Sequence, residues 1–218
     1  MSVPAGVVSE PPKREHQRTH FTRRLEAFSD IVFGLSLAQT AIQLQVPANA
    51  DELNHHFLRY LVFFGTFALI AFLWMAHYRI FRLAFEPEGL DIFLNFVFLA
   101  FTALLPYAMQ TNIKFQNEPF ALGLYAVSFM GTSLPLLVIC LRGLARRDPT
   151  LTDAERLLLW KASLRNASVS IAAFITLTLL PFLPTYFAIL PFPVLMPVMV
   201  FIRRRATQVP ALFRLAPA

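Results

Sequence analysis

The sequence predicts an all-α integral membrane protein with six transmembrane helices per chain. Of its 218 residues, 56% are hydrophobic and only 15% are charged, and the mean hydropathy is +0.56. Soluble domains contain roughly 45–50% apolar and about 25% charged residues. The apolar residues also fall into segments close to the roughly 17–25 residues that a spanning helix needs. Together, composition and segment length predict a chain that lies in a bilayer.

Six apolar segments follow one another along the chain. They cover residues 22–45, 57–81, 90–112, 119–142, 164–182 and 185–202. The stretch from 164 to 202 is too long for one span, and it contains several prolines, which remove helix hydrogen bonds. We therefore expect two short helices there, with a tight turn from Pro181 to Thr185 between them.

The two ends of the chain are more polar than the segments between them. Residues 1–20 contain Pro4, Pro11 and Pro12 and lack the apolar core of a signal peptide, so we expect a flexible cytoplasmic tail. Residues 206–218 are expected to form a cytoplasmic C-terminal tail. Residues 21–205 are predicted to form one six-helix transmembrane domain.

The placement of the basic residues sets the predicted orientation. In the six-span layout, every Lys and Arg except Arg59 and Lys114 falls on one side of the membrane. The positive-inside rule then places both termini in the cytoplasm. A single final span would instead translocate Arg203, Arg204 and Arg205, which the rule disfavours. This distribution explains the net charge of +6 without a nucleic-acid partner.

The sequence contains no recognisable catalytic or metal-binding motif. Cys140 is the only cysteine, so an intramolecular disulfide framework or a thiolate metal cluster is excluded. There is no HExxH zinc motif and no GxSxG nucleophile elbow. We therefore expect no enzyme, no cofactor and no resident metal ion. The basic connection from Arg142 to Arg165 is interpreted as a topology determinant that contacts anionic headgroups, and a lipid-binding or regulatory patch is the alternative.

Polar residues at membrane depth form the most distinctive pattern. Arg24 and Asp30 stand at the opening of the first apolar segment, where charges are costly and need a partner or a function. Arg24 and Phe28 are four residues apart and share a helix face, while Asp30 projects to another side. Ser29 lies next to Asp30, so this opening can contact several neighbouring helices.

The predicted partners of this opening lie on the second and third spans. Trp74 and His77 are three residues apart on one face of the second span, and Asn95 falls early in the third. The charge layout places Arg24, His77 and Asn95 near the cytoplasmic ends of their spans. Because unpaired polar groups are costly in hydrocarbon, we expect a network that includes Ser29 and Asp30. An interfacial position without a specific partner is the alternative for Trp74 and for His77.

This pattern resembles the transmembrane protein 175 family of potassium channels in its prokaryotic form, which has one six-helix repeat per chain. The residues that carry the resemblance are Arg24, Phe28, Ser29, Asp30, Trp74, His77 and Asn95. The resemblance implies a homotetramer whose four first helices line a central pore without a Thr-Val-Gly-Tyr-Gly filter loop. It further implies a potassium-permeable channel in a prokaryotic plasma membrane, with potassium ions and membrane lipids as partners, and residues 21–205 as the channel domain.

An apolar stripe on the first helix is compatible with such a pore. The stripe consists of Ile31, Leu35, Ala38, Ile42 and Gln45, which recur every three or four residues within about 80° of the helix circumference. Rings of Leu35 or Ile42 would form a hydrophobic gate. The resemblance assigns the constriction to Leu35, Ala38 and Ile42, and the family commonly has Thr where Ala38 stands. Ala38 and Gln39 are therefore the candidate selectivity positions.

The same helix has a second face that competes for the pore. It carries Ser29, Ser36, Gln39, Thr40 and Gln43. Polar residues of this kind either contact water or hold transmembrane helices together, and the sequence alone does not choose between the two faces.

Two other classes of function remain open at this stage. A secondary transporter would use Asp30 and His77 as a titrating substrate or proton site. A membrane scaffold would conduct nothing and would use the polar network for structure alone.

Overall fold

The chain is all-helical in a computed structural model that describes residues 13–42, 44 and 57–213. Its elements are α1 (Lys13–Ile42), α2 (Phe57–Ala84), α3 (Gly89–Lys114), α4 (Pro119–Ala145), α5 (Asp153–Leu179), α6 (Thr185–Ala188), α7 (Pro191–Arg205) and a 3-10 turn (Ala211–Phe213). Six helical stretches are long and apolar enough to cross a membrane, the last of them covering α6 and α7 together. The predicted all-α fold with six spans is thus confirmed.

Two helices begin earlier than the hydropathy pattern predicts. α1 begins at Lys13, inside the segment expected to be a tail, and α5 begins at Asp153 instead of near residue 164. The start of α5 is a capping box: the Thr152 hydroxyl accepts from the backbone N–H of Glu155, and the Glu155 carboxylate accepts from the backbone N–H of Thr152. The apolar pattern marks only the part of a helix that lies in hydrocarbon, so it missed these polar first turns.

The last span is interrupted, as its prolines predict. α6 ends at Ala188, and α7 begins at Pro191, where a residue without an N–H group suits the first turn of a helix. The turn between α5 and the last span covers residues 180–184 and agrees with the predicted turn.

The core of the bundle lies around α4, which packs between α3 and α5. α1 packs on α2 and α3, and α7 packs on α5. Cys140 is fully buried in this core and behaves as a small apolar residue, as expected. α4 also approaches α2 very closely, because Gly143 faces Ala84: a Cβ on Gly143 would lie 2.5 Å from the Ala84 Cβ.

One end of the bundle is held by a buried ionic cluster that the sequence analysis did not identify. Asp91, at the start of α3, is fully buried and accepts from Arg142 Nε at 2.8 Å and from Arg146 Nη2 at 2.7 Å. Arg142 also bonds Glu88, and Arg146 donates to the Ala84 carbonyl. These bonds join the end of α2, the start of α3 and the end of α4. We call this the basic end of the bundle.

The segment after α7 folds back onto the basic end. Val209 is buried in the same apolar cluster as Leu144 and Leu159. The Phe213 ring packs on Trp160 with centroids 6.1 Å apart. These contacts hold the described part of the predicted C-terminal tail, residues 206–213, against α4 and α5.

Candidate functional site

The two faces of α1 differ sharply in exposure. In the apolar stripe, Ile31 is 60% exposed, Leu35 65% and Ile42 82%, and Ala38 is exposed as well. Gln39, at the border of the stripe, is half-buried. Gln45 and Gln43, which were assigned to the stripe and to the polar face, lie outside the described residues. A large apolar surface left uncovered on a single chain marks a contact with lipid or with another protein.

The polar face of α1 is buried inside the protomer. Ser29, Ser36 and Thr40 are each 1–2% exposed. Their hydroxyls donate to carbonyls three or four residues earlier in the same helix, at 2.7–2.8 Å. These groups are therefore satisfied without water, and the face packs against α2 and α3. Between the two faces that the sequence left open, the apolar stripe is the one that each chain presents outward.

The polar residues meet in two contacts between α1, α2 and α3. At the edge of the bundle, Trp74 Nε1 donates to Asp30 Oδ1 at 2.8 Å. Deeper inside, His77 Nε2 and Asn95 Oδ1 share a hydrogen bond of 2.7 Å, and Asn95 Nδ2 lies 3.5 Å from Ser29 Oγ. Both contacts tie the opening of α1 to its neighbours.

Aromatic rings enclose the inner contact. The His77 imidazole stacks on Phe98 with centroids 5.0 Å apart and an angle of 2°, and Phe33 covers it at 5.7 Å. Phe33 and Phe98 were not among the predicted site residues, although Phe33 follows Ser29 by four residues and so shares its buried face. The result is a dry environment in which the bond from His77 to Asn95 is shielded from water.

Two members of the predicted network are placed differently. Phe28 is half-exposed, and its ring packs edge-to-face on Phe96 of α3 with centroids 5.7 Å apart. Arg24 is exposed, and within the described ranges it makes no hydrogen bond or ion pair. Among the described residues, the expected network therefore forms as separate contacts: Asp30 pairs with Trp74, and His77 pairs with Asn95. In the part of the chain that the structure describes, no group of three or more His, Cys, Asp or Glu side chains could hold a metal ion.

Comparison with known proteins links this site to a family. A family model described as "Endosomal/lysosomal potassium channel TMEM175" matches residues 24–106. The match begins at Arg24 and extends through α1 and α2 into α3, so it contains every polar residue of the two contacts. The curated relatives include an endosomal/lysosomal proton channel TMEM175 of Bos taurus, 34% identical over 116 residues, and a potassium channel of Chamaesiphon minutus, 27% identical over 124 residues.

These matches cover only part of each protein. The aligned region is 44% of this chain and 23% of the Bos taurus protein, and 52% of this chain and 61% of the Chamaesiphon minutus protein. The chain therefore spans less than two thirds of the length of the curated relatives that it matches.

Two solved structures have the same fold over most of the chain. The crystal structure of the potassium channel MtTMEM175, in a variant form bound to a nanobody fusion, superposes with a TM-score of 0.64 at 17% identity. The superposition covers 84% of this chain and 93% of the MtTMEM175 chain. The crystal structure of a lysosomal potassium-selective channel TMEM175 homolog from Chamaesiphon minutus gives a TM-score of 0.61 at 18% identity, covering 86% and 99%.

Proposed function

We propose that this chain is a potassium-permeable ion channel of the TMEM175 family, whose model matches residues 24–106. The relatives from Chamaesiphon minutus and MtTMEM175 are named potassium channels, and their fold extends over most of this chain. The channel domain is proposed to be residues 21–205. A channel needs no catalytic chemistry and no cofactor.

The exposed apolar stripe of α1 carries the proposal. Leu35 and Ile42 are exposed, whereas Ser29, Ser36 and Thr40 on the competing face of α1 are buried. When four copies meet around an axis, rings of Leu35 and Ile42 form a hydrophobic constriction that opens and closes by wetting and dewetting. Ile31, Ala38 and Gln45 complete the pore lining.

A homotetramer is part of the same proposal. One chain contributes one such stripe, so a closed ring of stripes requires several copies of the chain, and cyclic symmetry is the usual way to close it. The contacts from Asp30 to Trp74 and from His77 to Asn95 lie between α1, α2 and α3. These residues are therefore proposed to position α1 without lining the pore. Arg24 has no hydrogen bond or ion pair within the described ranges, and we propose that it binds a partner outside the chain.

Selectivity is proposed to depend on the layer at Ala38 and Gln39. Ala38 has no hydroxyl group to replace ion hydration, and the half-buried Gln39 is the nearest polar side chain on the described helix. We therefore propose potassium permeation with weak discrimination against sodium. The animal relatives are named proton channels, so proton flux is the second activity to measure.

The proposed location is a prokaryotic plasma membrane, with both termini in the cytoplasm. The C-terminal ends of α2, α4 and α7 lie at the basic end of the bundle, and the last turn of each contains Arg residues. The positive-inside rule orients such an end toward the cytoplasm.

Ion flux into liposomes tests the function. The full chain is reconstituted in liposomes, and potassium, sodium and proton fluxes are measured separately. We expect potassium flux that rises linearly with its gradient and does not saturate. Leu35→Asn hydrates the proposed constriction and should increase flux, whereas Leu134→Asn, an exposed leucine on α4, should not. A correctly folded protein without flux would refute the channel, and saturable, pH-coupled uptake would favour a secondary transporter.

A further inference from the structure

A groove at the basic end of the bundle, between α2, α5 and α7, gathers positive charge. Its volume is about 140 Å³. Four basic side chains from three helices line it: Arg79, Lys161, Arg165 and Arg203. Lys161 and Arg165 are about one helical turn apart on α5, whereas Arg79 and Arg203 are distant in sequence and join them only through the packing of the three helices.

The charge in this groove has no counterion among the residues that the structure describes. No Asp or Glu among the described residues lines it, and none of its four cations forms an ion pair within the part of the chain that the structure describes. The nearby Arg142 and Arg146 differ, because Glu86, Glu88 and Asp91 neutralise them. Uncompensated like charges that converge on one space repel one another and attract an anion.

One of these cations, Arg165, is held in position by two contacts. The Arg165 guanidinium lies over the Phe72 ring, with Cζ 5.1 Å from the centroid. Arg165 Nη2 also donates to Asn166 Oδ1 at 3.2 Å. The charge is thereby oriented on the wall of the groove before any ligand arrives, which reduces the ordering cost of binding.

The walls of the groove are apolar and open to the side of the bundle. Phe72 and Met75 on α2 and Leu158 on α5 line it, and they are 47%, 46% and 54% exposed. The volume suits a phosphate group but not a whole lipid, so acyl chains would lie outside along these walls. Basic pockets between transmembrane helices with this combination of features bind anionic headgroups.

We propose that the groove between α2, α5 and α7 binds the phosphate headgroup of an anionic phospholipid, with the acyl chains against Phe72, Met75 and Leu158. The anionic headgroup would reduce the repulsion among the four cations and would thereby favour the packing of α7 and α2 on α5. The proposal does not depend on ion conduction, because binding can be measured on a protein that conducts nothing.

Native mass spectrometry of the full chain in neutral detergent tests the site. The protein is titrated with phosphatidylglycerol, with phosphatidylcholine, and with glycerophosphate and inorganic phosphate as soluble anions. We expect saturable binding of phosphatidylglycerol and much weaker binding of the other three. The double variant Arg79→Gln/Arg203→Gln should weaken phosphatidylglycerol binding about 30-fold, since each basic residue near the surface contributes about 1 kcal/mol.

The matched control removes the same charges from the same helices outside the groove. Arg82→Gln/Arg204→Gln should leave the affinity for phosphatidylglycerol unchanged, because neither side chain lines the groove. Equal losses in both double variants would show general surface attraction and overturn the site. If phosphatidylcholine bound as tightly as phosphatidylglycerol, the site would also be overturned. If a soluble anion bound as tightly, the groove would be a phosphate site instead of a lipid site. Because the replaced side chains are exposed, both variants should fold, and size-exclusion profiles check this.

Discussion

At the residue scale, the pairing of the polar network depends on neighbouring residues that face different ways. Ser29 and Asp30 are adjacent, so their side chains diverge by about 100° around α1. Ser29 is therefore buried beside Asn95, while Asp30 is exposed and meets Trp74. The sequence identified these participants. It could not identify the pairs, because the pairs depend on the rotation of α1 against α2 and α3.

The buried pair should contribute more to stability than its single bond suggests. Asn95→Ala leaves the imidazole of His77 without its partner in a dry site, and an unsatisfied buried polar group costs about 1–3 kcal/mol. We expect a lower unfolding temperature in detergent. In a double-mutant cycle with His77→Phe, which preserves a ring against Phe98, the two changes should be non-additive. Additive effects would mean that the two side chains do not interact.

The outer contact should matter for holding α1 in place. Asp30→Ala removes the acceptor of the Trp74 indole, and Trp74→Phe removes the donor but keeps an aromatic ring. We expect either change to lower the yield of assembled oligomer on size exclusion. Asp30→Asn, which keeps a carbonyl acceptor, should retain most of it. Full assembly of the Asp30→Ala protein would remove this contact from the proposed scaffold of the pore.

At the element scale, close approach between helices depends on small residues. α2 and α4 meet at Gly143 and Ala84, where a Cβ on Gly143 would lie 2.9 Å from the Ala84 Cα. A backbone atom at this distance cannot move aside as a flexible side chain could. This approach brings the ends of both helices to the ionic cluster around Asp91.

Replacing this glycine should therefore destabilise the bundle. Overpacking costs about 1–3 kcal/mol, which exceeds the roughly 1 kcal/mol that replacing glycine gains within a helix. Gly143→Ala should lower the unfolding temperature measured by the loss of helical circular dichroism. Gly89→Ala is the matched control at the same end of the bundle, because a Cβ on Gly89 would have no neighbouring atom within 4 Å. A Gly143→Ala protein as stable as the control would show that α2 and α4 can separate freely.

At the scale of the whole molecule, the single chain leaves the described part of its apolar stripe uncovered, so the role of the stripe depends on what covers it. Lipid could cover the same surface, because apolar side chains pack as well against acyl chains as against one another. Only the arrangement of several chains distinguishes a pore lining from a lipid-facing surface.

Cysteine cross-linking separates these two arrangements. Cys140 is the only cysteine and is fully buried, so Cys140→Ala provides a background without thiols. In that background, Leu35→Cys should give covalently linked dimers, the largest product that one thiol per chain allows, when membranes are treated with a short bis-maleimide. Phe174→Cys, at a 63% exposed position on α5, should give few or none. A monomer as the only product from Leu35→Cys would refute a pore lined by α1.

The sequence by itself determined the membrane class, the number of spans, the break in the last span and the resemblance to the TMEM175 family, because hydropathy, proline positions and the motif from Arg24 to Asp30 are local properties. Tertiary structure decided which face of α1 is buried, that Asp30 pairs with Trp74, and that Arg79, Lys161, Arg165 and Arg203 share one groove. The physical reason is that apolar side chains suit lipid and protein equally well, so hydropathy indicates that a helix spans the membrane but not which neighbour each face meets.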